Sequence, residues 1–187
     1  MANDRKGRFL KMLREMVPVI LGVLIALLVN GWKEQVDDKR YLDRMFTAID
    51  REIEGNLNDV DTVMMKQMAL LDTIFYYEEN DTVSIAEIVM RAKGLQSATI
   101  KSAAWQSLNN SRLELVEYDV IAILTEIEEH KETLQVKMNA CLTFLFDNLH
   151  ATRKEDKQTL IYHIYNLLDS GEALMEAHKD FQILRSR

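Results

Sequence analysis

No charged residue stands between Met16 and Trp32, and from Val17 to Val29 every residue is apolar. A helix at a protein surface shows one apolar stripe, whereas this one is apolar on every side. Three fates are open to it: a core helix of a soluble bundle, a leader peptide removed by cleavage, or a retained membrane anchor. At about 1.5 Å per residue the 17 residues from Met16 to Trp32 span about 25 Å, slightly less than the ~30 Å hydrocarbon layer. The ends extend its reach. Trp32 suits the headgroup level, and Arg14 and Lys33 have aliphatic stems long enough to lift their charges into the interface.

The anchor reading is favoured over the other two. Cleavage after Gly31 would place Val29 and Gly31 at the small-residue positions and leave Trp32 as the new terminus. Instead, helix-compatible polar sequence continues directly through Lys33, Glu34, Gln35 and Val36, with no turn residue after Gly31. Pro18 is expected in the first turn, where a missing N–H costs little. Gly22 and Ala26 form a small-xxx-small pair that suits close helix packing. Asn30 reads either as an amide bonding a neighbouring helix or, more simply, as an interface marker beside Trp32.

Orientation follows the Lys and Arg balance of the flanks. Arg5, Lys6, Arg8, Lys11 and Arg14 precede the run; Lys33, Lys39, Arg40 and Arg44 follow it. The excess points to a cytoplasmic amino terminus and a body outside the inner membrane, periplasmic in a Gram-negative cell. Residues 1–15 are the basic tail, 16–32 the transmembrane helix and 33–187 an acidic helical domain. The tail carries +3, which leaves −10 for the rest of a chain whose net charge is −7. An acidic body argues against a nucleic-acid partner, because phosphate binding needs a cationic face.

The stretch LREMVPVILGVLIALLVNGWKEQVDDKRYLDRM resembles the amino-terminal signature of a widespread bacterial family, the domain of unknown function family 6090. In that family a short basic tail leads into one membrane helix and then a charged, leucine-rich helix. The matching positions are Gly22, Val23, Leu24, Ile25, Ala26, Leu27, Val29, Asn30, Trp32 and Glu34. Leu28, Gly31 and Lys33 differ, at places where the family tends to carry polar amides. A looser likeness joins SAAWQSLNNSRLELVEYDVIAIL to the family's central segment. The resemblance implies a membrane-tethered helical protein and brings no catalytic residues with it.

The body reads as helical throughout. One Pro and six Gly leave little turn punctuation in 187 residues. Apolar residues recur at Leu42, Phe46, Ile49, Ile53, Leu57, Val60, Met64, Met68, Leu71 and Phe75, a mean step of about 3.67, which predicts one nearly straight helix to Tyr77. EGNLNDVD is its weak point, with a kink expected near Gly55. Ser84 and Glu87 have capping-box spacing before a short helix that stops near Gly94. A helical piece over residues 97–108 and a turn at Asn109 and Asn110 follow. Two heptad stripes complete the chain: Val120, Leu124, Ile127, Lys131, Leu134, Met138, Cys141, Leu145, and Leu160, Ile164, Leu167, Gly171, Leu174, His178, Phe181. The expected fold is all-α: a membrane helix continuing into a long helix, then an antiparallel three- or four-helix bundle.

No motif for catalysis, cofactor binding or metal binding emerges. Ile127 and Met175 stand where a di-iron bundle would place glutamates before His130 and His178. Glu126 and His130 read as a surface pair, His178 as a core histidine, and the single Cys141 as a buried structural thiol. Tyr76, Tyr77, Tyr162 and Tyr165 read as core or boundary packing, and Met64, Met65 and Met68 as core filling. The functional expectation is a non-enzymatic, membrane-tethered interaction or scaffold module with a protein partner or a second copy of itself. A periplasmic ligand-binding sensory bundle, signalling through a partner, is the alternative.

Overall fold

A computed structural model describes residues 2–186, with the side chains of residues 2–13 and 15 outside the described set. Among the described residues there are five α-helices and no strand: α1 Ala2–Tyr77, α2 Ile85–Arg91, α3 Ala103–Asn109, α4 Tyr118–Asp147 and α5 Lys154–Arg185. A single 3-10 turn, Leu113–Leu115, precedes α4. The chain divides into two units, Met1–Arg44 and Met45–Arg187, with α1 contributing to both.

In the first unit the helix is already formed at Ala2, so Pro18 sits in the helix interior and not in its first turn. The expected placement is corrected for a simple reason: the basic tail is itself helical. Pro18 cannot donate to the Arg14 carbonyl one turn earlier, which leaves that acceptor without its intrahelical partner.

The second unit is built on three heptad stripes. On α1 the buried residues Phe46, Ile49, Ile53, Asn56, Val60, Val63, Gln67, Leu70 and Ile74, with Leu71 from the expected stripe buried beside them, follow alternating steps of three and four. That is the period of helices that wrap left-handedly around partners, not the nearly straight helix expected from the apolar residues alone. Met68 and Phe75, both assigned to the expected stripe, are 47% and 46% exposed. The discrepancy arises at two polar positions, Asn56 and Gln67, which are only 2% and 3% exposed. On α4 and α5 the expected stripes hold, with Leu160, Ile164, Leu167, Leu174 and Phe181 almost completely buried.

Helix α5 runs antiparallel to both α1 and α4. Gly171 shows how closely α1 and α5 approach: a Cβ there would meet the Met64 Sδ at 3.0 Å and the Val60 Cγ1 at 3.7 Å. The core joins Leu70, Leu71 and Ile74 of α1 and Ile85 and Ile88 of α2 to Met138, Cys141 and Leu145 of α4 and Leu160 to Leu168 of α5. Helix α1 is continuous through Gly55, whose Cα faces open space.

One end of the bundle is locked by polar groups that close helix ends. The Lys157 ammonium, on a fully buried side chain, donates to the carbonyls of Tyr77 at 2.9 Å and Asn80 at 2.6 Å. A cation at a helix C-terminus satisfies orphan carbonyls and complements the dipole. Ser84 and Glu87 form the expected capping box. The first free N–H groups of α2, on Ile85 and Ala86, donate to the carbonyls of Ala151 and Leu149 in the loop between α4 and α5. Lys154 pairs with Glu79 across the same end.

Candidate functional site

Two features stand out, one in each unit. The first is the apolar stretch of α1. Among the described residues one helix is long and apolar enough to cross a membrane, and its apolar window has no buried residue. Its large side chains are 45% exposed at Met16 and up to 72% at Leu28. Isolated exposed Leu or Val residues are ordinary at a protein surface; a full cylinder of them is not. Pro18, Ala26 and Asn30 are exposed, Gly22 has no atom within 4 Å of where a Cβ would stand, and Trp32 is 69% exposed. Arg14 is exposed at the other end. The side chains of Arg5, Lys6, Arg8 and Lys11 lie outside the described residues.

The second feature is an extended strap, residues 95–102, which replaces the first part of the helix expected over 97–108. Helix α1 holds it with a ladder of side chains that bond to strap backbone. Gln67 donates to the Gln96 carbonyl at 3.1 Å, and the Asp59 carboxylate accepts from the Thr99 N–H at 2.6 Å. Asn56 does both, donating to the Lys101 carbonyl at 2.7 Å and accepting from the Lys101 N–H at 2.8 Å. The Glu52 carboxylate then accepts from the Ala104 N–H at 3.1 and 3.2 Å, supplying an acid at the N-terminus of α3. Strap numbers rise as α1 numbers fall, so the two run antiparallel. An extended chain has no helical partners for its own N–H and C=O groups; Gln67, Asp59 and Asn56 supply partners for four of the strap's, and Glu52 closes the start of α3.

Two further residues complete this polar layer. Lys131, the charged interruption of the α4 stripe, donates to the Ser102 hydroxyl at 2.8 Å and to Glu128 at 2.7 Å. His178, 1% exposed, places Nδ1 at 2.6 Å from the Leu174 carbonyl and Nε2 at 3.4 Å from Asn56 Nδ2. With the proton on Nδ1, both contacts are satisfied: Nδ1–H donates to the carbonyl and Nε2 accepts from Asn56. Burial pushes the His178 pKa below the usual histidine value, and the Leu174 carbonyl opposes that shift.

The remaining chemistry-bearing residues are dispersed. Burial pushes the Cys141 thiol up to about 11, so it remains protonated and unreactive at neutral pH. Glu126 and His130 are 3.7 Å apart on a partly exposed face, the expected surface pair. Tyr76, Tyr162 and Tyr165 are surface residues, correcting the expectation that they pack in the core or at its boundary; Met65 is likewise 53% exposed. Among the described residues no three His, Cys, Asp or Glu side chains gather as a metal site would require.

Compared with protein-family models, with curated proteins and with solved structures, the chain has no match. The likeness of its first 45 residues to a bacterial family therefore rests on the quoted residues alone. The buried polar residues Asn56 and Gln67 of α1 were missed by sequence reasoning. Their one signal was heptad spacing that continued through polar positions.

Proposed function

We propose that the protein is a single-pass membrane-anchored module of the bacterial inner membrane, whose helical bundle holds a protein partner at the membrane surface. The observation that carries this reading is the unbroken apolar cylinder of residues 16–29, exposed on every side and flanked by Arg14, Trp32 and Lys33. Lipid is the occupant that matches it: carried on to Trp32 the uncharged helix spans about 25 Å, close to the hydrocarbon layer, and the cations and aromatic residue stand where headgroups would lie. The cation excess before the run supports a cytoplasmic amino terminus and a periplasmic body. The amino-terminal likeness to domain of unknown function family 6090 supports the same placement.

The interaction role is supported by the polar layer of the bundle, whose Gln67, Asp59, Asn56 and Glu52 side chains are committed to backbone groups of the strap and of the α3 start. The test is isolation of the tagged full chain from cross-linked, detergent-solubilised membranes, beside a version whose residues 1–32 are replaced by a cleavable leader. The tether reading expects one stoichiometric protein partner, which leaves the membrane fraction when the anchor is removed. If no protein co-purifies, while a small metabolite raises the melting temperature of the isolated chain, the sensory alternative replaces it.

A further inference from the structure

One groove of the acidic bundle has a cationic lining. A groove of about 640 Å³ lies between α1 and the turn that follows α2. Met65, Ala69 and Ala92 give it an apolar lining, and its charged residues are Lys66, Arg91 and Lys93. No carboxylate lines it, although acids outnumber Lys and Arg by 30 to 23 in the chain.

The three cations are differently held. Arg91 is fixed: its Nη1 donates to the Tyr77 hydroxyl at 3.2 Å, and its guanidinium lies 5.1 Å from the centre of the Tyr77 ring. Lys66 and Lys93 have ammonium groups with no hydrogen bond or ion pair among the described residues. Lys93 also occupies a left-handed backbone position with φ 66°, just before Gly94 at φ 89°, where the α2 helix ends. The turn thus puts a lysine at a position that usually favours glycine.

From these observations we infer that the groove docks an acidic, apolar-containing peptide segment of a protein partner. The inference rests on the interaction reading above and names the chemistry of that partner. Charge complementarity selects the occupant: free cations over an apolar lining attract a segment that brings carboxylates and buried side chains together. Dimensions agree. The α1 wall runs from residue 62 to residue 73, about 16 Å at a helical rise, which is the length of about five extended residues. A second groove of about 620 Å³ between the strap and α4 lacks this bias. There Lys131 is already paired with Glu128, and Glu132 offsets it.

The experiment pans a random twelve-residue peptide library against the full chain in nanodiscs of zwitterionic lipid. The enriched peptides are expected to carry excess Asp and Glu interspersed with apolar residues. Their affinity should fall at least about tenfold in the double variant Lys66→Glu, Lys93→Glu, and fall with added salt, as expected for charge-steered docking. Both side chains are exposed, and an unchanged melting temperature verifies that the variant folds. Enrichment of neutral or basic peptides, binding indifferent to the double reversal, equal competition by inorganic phosphate, or no enrichment would each overturn the inference. Membrane residence is measured separately in cells. A chain that stays in the membrane but selects no acidic peptide refutes the groove alone, whereas a chain that selects one but fractionates as soluble refutes the tether alone.

Discussion

Asn56 clasps Lys101 by its backbone: one side-chain amide donates to the Lys101 carbonyl at 2.7 Å and accepts from the Lys101 N–H at 2.8 Å. This pair joins positions 45 residues apart and reproduces, with a side chain, the two-bond exchange of a β-bridge. It fixes the strap to α1 at the level of His178, so one buried amide serves three elements.

Replacing Asn56 with Ala leaves the Lys101 N–H and carbonyl without their side-chain partner and removes the donor to His178. The expected loss of stability is about 2–3 kcal/mol, because partly buried polar groups lose partners without regaining water. Urea denaturation measures the loss, and hydrogen exchange should show the amides of Thr99, Lys101 and Ala104 exchanging faster than those of α4.

His178 should make stability fall on mild acidification. Its folded pKa is depressed, so the unfolded chain binds the proton more readily than the folded one. The contribution is fully present above the unfolded value of about 6.5 and is lost as pH falls from there through the folded pKa. Protonation would also turn Nε2 into a donor facing the Asn56 donor. Denaturation midpoints measured at pH 7.5 and pH 5.5 should differ in the wild type, and the difference should shrink in His178→Gln. The capping carboxylate of Glu87 is lowered from 4.5 and acts in a more acidic window.

Lys157→Met retains an apolar stem of similar length while removing the ammonium from the carbonyls of Tyr77 and Asn80. A cost of about 2–3 kcal/mol is expected, because hydrogen bonds to charged donors exceed neutral ones. The melting temperature reports it. A variant as stable as wild type would mean that water replaces the ammonium freely.

Gly55→Ala should stabilise. The residue is exposed in a continuous helix with no atom within 4 Å of the added Cβ. Helix propensity alone predicts a gain of up to about 1 kcal/mol, read as a higher urea midpoint.

Most of the architecture was legible because apolar periodicity survives in a single sequence. The α5 stripe from Leu160 to Phe181, including Gly171 and His178, is buried as its spacing predicts. The Ser84 and Glu87 pair caps α2 as its spacing predicts. The α1 stripe was misread for a physical reason. Counting only apolar residues passed over Asn56 and Gln67, and it selected Leu57 and Met68 in their place. Polar residues enter a core when another segment supplies hydrogen-bond partners, and that segment, the strap, lies 29 residues beyond Gln67 and 45 beyond Asn56. Local spacing carries no record of so distant a pairing. The strap did carry a short signal: residues 97–101 alternate exposed polar Ser97, Thr99 and Lys101 with half-buried apolar Ala98 and Ile100, but with no partner strand beside it the run was taken into the helix that follows. Pro18 was misplaced because the helical start of the basic tail depends on residues with no apolar stripe to mark it.

The central claim is that the cylinder of residues 16–29 resides in lipid, and membrane extraction tests it most directly. Full chain with a carboxy-terminal tag is expressed in a bacterium, and its membranes are washed with alkaline carbonate while intact spheroplasts are treated with protease. The account predicts an intact chain that stays in the carbonate-washed membrane and loses its body and tag to external protease. Release into the carbonate supernatant, or recovery of a soluble chain shortened by its first 31 residues, would contradict it.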